Sequence, residues 1–310
     1  MGTPLLWILF NLFVLAAVAM DLGVFSRRLH KVGLREAARS SLAWVALSTL
    51  FGIGVLHYAG HQKGLEFFTG YLIEKALSVD NLFLFLVIFR TFSVDEGLQH
   101  RLLEWGILGA LVMRGTMIAA GAQLIERFSW IMYVFGAFLV YAGVHMLFSK
   151  KHAIHPENNP VFKFASRHLR MTSEYQGQRF FIRSKDKWWV TPLFLVLLVV
   201  EVTDVTLAVD SIPAIFGITR DPFIVYTSNV FAILGLRAMY FLLAGVLNRL
   251  RFLTIGLSLV LLFIGGKMIG EPWVHITEVV SLSVVGGILA AALAASLAFP
   301  SPSSGSTEKP

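Results

Sequence analysis

The sequence predicts an all-α, polytopic membrane protein of about nine transmembrane helices around a 3+3 inverted-topology repeat core. Three observations carry that prediction. Of the 310 residues, 56% are hydrophobic and only 15% are charged, where a soluble chain carries about 25% charged residues. Apolar runs of about 20 residues, the length that crosses a bilayer, recur along the whole chain. One block of three runs resembles the next, the signature of an internal repeat.

The runs lie at 5–25, 40–58, 67–89, 103–124, 128–148, 190–217, 222–247, 252–270 and 276–299. The first has no basic residues ahead of it and its charges follow it, so it is expected to be a retained span and not a cleaved leader. The third and sixth carry several charges and rest on the pattern around them. Buried helices of a soluble protein also give apolar runs, but nine of them in this length leave almost no polar surface to cover such a core.

Lys and Arg set the expected orientation, because cytoplasmic loops carry the excess of both. Nineteen of the 26 fall on one side of the alternation, three on the other and four inside the runs. The N-terminus is therefore expected outside and the C-terminus in the cytoplasm. The formal charge of +7 is then topological, and no nucleic-acid partner is expected. The lipid bilayer is the expected partner. The expected units are 1–65, two helices with a cytoplasmic basic loop; 66–148, a first three-helix repeat; 149–189, a cytoplasmic basic loop; 190–271, a second repeat; 272–299, a last helix; and 300–310, a disordered tail. The loop 149–189 holds His152, His155 and His168, too few close together for a metal site, and ends in the interfacial pair Trp188 and Trp189. Its basic face reads as cytoplasmic charge bias, with anionic lipid as the alternative partner.

Several chemistries are excluded. The chain has no cysteine, so it holds no disulfide, thiolate zinc site, iron–sulfur cluster or thiol relay. No G-x-x-x-x-G-K-[ST] run is present, so the chain itself is no ATP-driven pump. Asp210 follows Leu-Ala-Val and not the G-x-G of an intramembrane aspartyl protease. No enzyme activity and no prosthetic group are expected.

The repeat is carried by three matches in the same order. Glu74 to Asn81 reads EKALSVDN, and Asp204 to Ser211 reads DVTLAVDS. Ile107-Leu108-Gly109 precedes Arg114 as Ile233-Leu234-Gly235 precedes Arg237, and Gly143 to Met146 resembles Gly265 to Met268. A unit of three spans inserts alternately in opposite senses. Such inverted repeats are common in secondary transporters, with the site near the midplane between the two units.

The acids of the third and sixth runs are Glu74, Asp80, Glu201, Asp204 and Asp210. Each costs at least about 2.5–3.5 kcal/mol in a membrane, so it must be paired, solvated or bound to something. Lys75, Arg114, Arg237 and Lys267 are the cations inside spans. They are read as charge-pairing residues or as groups that hold or release the carboxylates, since a cation site does not place positive charge against its ion. Pure internal pairing is the alternative for the whole cluster. Asn81, Ser78, Thr203, Thr206, Ser211 and Asn229 add neutral oxygen donors. Pro213 follows Asp210 and is expected to interrupt its helix, freeing carbonyls one turn earlier. The candidate metal ligands are Glu74, Asp80, Asn81, Glu201, Asp204, Asp210, Ser211 and Asn229. Carboxylate, amide and hydroxyl oxygens suit Mg²⁺, Ca²⁺ or Mn²⁺. His145 reads as a boundary residue, and Met113, Met117, Met239 and Met268 as packing.

EKALSVDN at 74–81, EVTDVTLAVDSIPAIFGIT at 201–219 and DPFIVYTSNVFAILGLRAMYFLLAG at 221–245 resemble the TerC/Alx family of integral membrane proteins, within the LysE-like transporter superfamily. The likeness runs from Asp21 to about Ile276. It implies a bacterial inner (plasma) membrane location, manganese export from the cytoplasm and, by the family's name, a link to tellurium resistance. The family's acidic pattern falls on Glu74, Asp80, Asn81, Glu201, Asp204, Asp210 and Ser211. The expected function is a secondary transporter exporting Mn²⁺, the substrate ion, in exchange for protons. The alternatives are a transporter of another divalent ion such as Ca²⁺, and a membrane scaffold of a metal or tellurium stress-response complex. A homo-oligomer or a stress-response partner is left open.

Overall fold

A computed structural model describes residues 2–25, 33–128, 130–148, 171–172, 174–184, 187–244 and 252–299. The basic residues and histidines of 149–170 and the tail 300–310 lie outside the described residues. The chain is mostly helical. Its helices are α1 (Pro4–Phe25), α2 (Leu34–Tyr58), α3 (His61–Thr91), α4 (Glu96–Arg127) and α5 (Ile131–Phe148). After a short antiparallel hairpin, β1 (Phe181–Ser184) and β2 (Lys187–Val190), come α6 (Pro192–Phe216), α7 (Pro222–Ile233), α8 (Leu236–Ala244), α9 (Leu253–Gly270) and α10 (Glu278–Ala298).

These helices fall on the nine apolar runs, with α7 and α8 sharing the seventh. Six of them (α2, α4, α5, α6, α9 and α10) are long and apolar enough to cross a membrane, and the bent pair α7–α8 makes a seventh if it is one span. Nine crossings thus go beyond what length and composition establish. α1 offers the shorter apolar stretch Pro4–Met20, and α3 carries Lys63, Glu66, Glu74, Lys75, Asp80 and Arg90.

Sequence punctuation accounts for the ends that matter here. Pro192 and Pro222 open α6 and α7, where a missing N–H costs nothing, and Asp221 caps α7 by accepting from Phe223 N at 3.0 Å. α7 stops at Leu234-Gly235. Gly235 has φ of +85°, and a Cβ there would stand 2.8 Å from the Trp44 ring of α2. Only glycine satisfies both conditions. The chain then turns by 44° into α8. This break is in the seventh run and not in the sixth: α6 remains helical through Pro213 to Phe216. Pro213 lies in the last turn, so it removes one hydrogen bond without disrupting the turns that carry Glu201 and Asp204.

Packing directions follow from named contacts. α3 and α7 run parallel, with Gly70 against Ser228 and Lys75 against Ala232. α4 and α6 run parallel, with Gly106 against Val200, Arg114 against Asp204 and Gly121 against Phe216. α5 and α9 run antiparallel along a glycine seam, Gly136 on Gly265 and Gly143 on Ser258. α7 lies innermost, buried from Thr227 to Leu234. Phe10, Phe51, Phe67, Phe223 and Phe231 form an aromatic cluster joining α1, α2, α3 and α7. The distribution is inverted relative to a soluble protein. Arg114 and Glu74 are among the least exposed side chains, while Leu12, Leu42, Val112 and Leu297 are more than half exposed. An apolar rim around a charged interior is what a hydrocarbon surround selects.

Candidate functional site

Glu74 is carried by α3, two helical turns beyond the buried Glu66. Ser78 and Asn81 follow at four and seven residues, so all three share one face of the helix. Asp204 sits in the middle of α6, and Arg114 in the middle of α4. α4 packs on α6, and α6 on α3, which brings the three charges together. The Arg114 guanidinium is 1% exposed. It donates from Nε to Asp204 Oδ2 at 3.2 Å and from Nη2 to Asp204 Oδ1 at 3.2 Å, the forked geometry that suits a carboxylate. Its Nη1 forms an ion pair with Glu74 Oε1. The Asn81 amide, oriented to satisfy its neighbours, accepts from Arg114 Nη2 at 3.3 Å and donates to Leu77 O at 3.0 Å.

One cation thus spans two carboxylates, leaving a net charge of −1 on the trio. The helices that carry or pack on the trio also hold polar groups with no hydrogen-bond partner among the described residues: Ser78 Oγ, Ser211 Oγ, and both amide atoms of Asn229. All three residues are essentially fully buried. An unsatisfied buried polar group costs about 1–3 kcal/mol, and a native structure that keeps several has a reason for them. They lie on α3, α6 and α7, and α3 packs against both of the others. Among the described residues no group of three or more Asp, Glu or His is arranged to hold a metal ion. The oxygens that meet Arg114 are two carboxylates and the Asn81 amide carbonyl.

The other expected site residues fall as follows. Asp80 and Asp210 lie on α3 and α6, but their side chains are outside the described residues. Glu201 is one turn before Asp204 and half-buried; its carboxylate lies where a Cβ on Gly109 of α4 would stand, and its Oε2 has no partner among the described residues. Thr203 and Thr206 donate back to Val199 O and Val202 O of their own helix. Lys75 does not join Arg114. Its ammonium donates to Ala232 O at 3.2 Å, capping a carbonyl that the break after α7 leaves without its helical donor. Arg237, which the repeat matches to Arg114, instead pairs with Glu104 of α4 at 3.2 Å. Lys267 lines a cavity of about 500 Å³ at the end of the bundle where α3 and α10 begin and α6 and α9 end.

That cavity was not anticipated from the sequence. Lys63, Glu66, Thr219, Lys267, Glu271 and Glu278 are among the residues lining it. Glu66 is 4% exposed, accepts from Thr219 Oγ1 and pairs with Lys63 at 2.7 Å. It lies on the same face of α3 as Glu74, eight residues earlier. The signal was available as an acid at that spacing, but Glu66 stands just before the apolar run and reads as a boundary charge.

The geometry meets a family-level match. The family model "Integral membrane protein TerC family" covers residues 59–303. The chain belongs to the TerC family. The relatives of this TerC chain extend over nearly all of it. A protein of Escherichia coli K12 named "Putative membrane-bound redox modulator Alx" is 49% identical over 297 residues, covering 93% of this chain and 92% of its own. One from Myxococcus xanthus named "Uncharacterized membrane protein STKORF319" is 48% identical over 296 residues, 96% of this chain and 93% of its own. A membrane protein from Rickettsia bellii is 38% identical over 291 residues. No solved structure matches the chain. The family and its relatives establish an integral membrane protein.

Proposed function

We propose that this TerC-family protein is a secondary transporter that exports Mn²⁺ from the cytoplasm in exchange for protons. The observation that carries the reading is the buried Glu74–Arg114–Asp204 trio, with the unpartnered oxygens of Ser78, Ser211 and Asn229 on the helices packed around it. Buried carboxylates in a membrane mark ion pathways, and hard oxygen donors of mixed kind suit Mn²⁺ over soft metals. Glu74, Asp80, Asn81, Asp204, Asp210, Ser211 and Asn229 are the proposed ligands, with Glu201, one turn before Asp204, as a further acid of the site. A carboxylate in this setting favours its neutral form when no cation faces it, which supplies the coupling: proton on, metal off. Ca²⁺ is the competing substrate, and competition among divalent ions separates the two.

Two features support the 3+3 inverted repeat. Exchanging α3 with α6, α4 with α7–α8 and α5 with α9 maps the main contacts onto one another: α3 on α7 becomes α6 on α4, and α5 on α9 maps to itself. The helix directions also match strict alternation. α3 is parallel to α7, α4 to α6, and α5 antiparallel to α9, as crossings three and seven, four and six, and five and eight require. The Escherichia coli relative is named as a "Putative membrane-bound redox modulator". This chain, lacking cysteine, performs no redox modulation through thiols.

Asp80→Asn, Asp204→Asn and Asp210→Asn, each made separately, are expected to reduce Mn²⁺ efflux from loaded cells to the level of cells without the protein. Membrane-inserted, folded variants that export at the wild-type rate would refute the assignment.

A further inference from the structure

Arg114 stands between two buried carboxylates, Glu74 and Asp204. Building on the transport reading above, we infer that Arg114 is a resident counter-ion that holds Glu74 and Asp204 between transport events and moves to Glu201 when a divalent cation takes its place.

Charge balance comes first. Glu74 and Asp204 together carry −2. The guanidinium neutralises half of that, and a divalent ion neutralises all of it, so exchange of one for the other is electrostatically favourable only if the guanidinium leaves. A released guanidinium buried in a membrane needs another anion, because an unpaired buried charge costs several kcal/mol. Among the described residues Glu201 is placed to supply it. It lies one turn from Asp204 on the same face of α6, about 4.5 Å along the axis, and its Oε2 is buried without a partner. Its carboxylate rests against Gly109 of α4, five residues before Arg114, in a gap that exists because Gly109 has no Cβ. Side chains on a helix lean toward its N-terminus, so Arg114 reaches along α4 in the direction of Gly109. Arg237 is not available for this role, since it faces Glu104, and Lys75 is committed to Ala232 O. Arg114 therefore has an occupied station and a vacant one along the seam of two parallel helices. It is a positioning residue: it touches the ligands and competes with the ion.

The test is Mn²⁺ titration calorimetry on the purified full-length protein in detergent micelles. The variants are Glu74→Gln, Arg114→Gln, Arg114→Lys, Glu201→Gln and the double variant Arg114→Gln/Glu201→Gln. A competitor that fills the site about nine-tenths of the time raises an apparent Kd about tenfold, so Arg114→Gln is expected to bind Mn²⁺ about tenfold or more tightly. Arg114→Lys, which keeps the charge but loses the fork, should fall between. Glu201→Gln should bind more weakly than wild type, because the guanidinium has nowhere to go. It should have no such effect in the Arg114→Gln background.

Equal or weaker binding in both Arg114 variants overturns the proposal, as does a Glu201→Gln loss of the same size in both backgrounds, which would make Glu201 a plain ligand. If Arg114→Gln does not fold, Arg114→Lys decides alone: tighter binding supports, equal or weaker binding overturns. Failure of the underlying reading is distinct. In that case wild type itself binds no Mn²⁺, or Glu74→Gln leaves binding intact, and the proposal falls with it.

Discussion

Arg114 pairs with three groups on two other helices, and each contact was half visible in advance. A sequence says that a buried charge needs a partner; it does not say which. Arg114 follows Ile107-Leu108-Gly109 by five residues and Arg237 follows Ile233-Leu234-Gly235 by two, and one faces Glu74 and Asp204 while the other faces Glu104. The difference arises because Arg237 comes after the bend at Gly235, which turns its helix away. Glu104 stands at the start of an apolar run, and nothing in its spacing points to Arg237. Asn81 was legible as a donor but not as a partner of Arg114. Removing the single cation leaves two buried carboxylates uncompensated and costs about 3–5 kcal/mol. Arg114→Ala is therefore expected to lower the thermal unfolding temperature of the detergent-solubilised protein well below that of wild type. The exposed control Glu126→Ala, at the end of α4, should shift it little. Equal shifts would mean that the Arg114 pairing carries no stability.

The helices were legible as apolar runs, although α2, α3 and α4 begin six or seven residues ahead of theirs. The break was not. Pro213 drew attention in the sixth run, while the interruption lies at Gly235, where positive φ and contact with Trp44 coincide. Only the packed structure reveals such a contact. Gly235→Ala is expected to be disruptive on both counts, reducing the yield of folded protein and abolishing Mn²⁺ transport. A folded, active Gly235→Ala would show that the bend is dispensable. The α5–α9 seam makes a second case. A methyl group on Gly265 would stand 2.7 Å from Gly136 O and 2.9 Å from Val140 N, both backbone atoms that cannot rotate away. Gly265→Ala should cost about 1–3 kcal/mol, whereas Gly266→Ala, with nothing within 4 Å, should be tolerated. The hairpin β1–β2 falls in the segment expected to be a loop, because its strands, FIRS and KWWV, carry no apolar alternation. Next to it Tyr175 donates to Phe92 O at 2.7 Å, tying the loop to the corner between α3 and α4. Burial, with Asp95 nearby, pushes its phenol above the usual range, so it remains a donor at any pH a cell meets.

At the scale of the whole molecule, the sequence made the membrane class, the helical architecture and the family legible, because composition and motif length act over hundreds of residues. The cavity lined by Glu66, Lys267, Glu271 and Glu278 was not legible, since its walls come from five helices spread along the chain. The alternation of helix directions predicts that this cavity opens on the side opposite the loop 149–189. Because the chain has no cysteine, single introduced cysteines report sidedness without background. Thr3→Cys and His275→Cys are expected to react with an impermeant maleimide applied outside intact cells, and Gln178→Cys only after permeabilisation. The reverse pattern would invert the orientation. The central claim, that this protein carries Mn²⁺ through an intramembrane carboxylate site, is tested most directly by flux. Purified protein in liposomes with an imposed pH gradient should move Mn²⁺ at a rate that depends on the gradient and disappears with Asp204→Asn. Folded wild-type protein that moves no Mn²⁺ under any gradient, or Asp204→Asn that moves it as fast as wild type, would contradict the account.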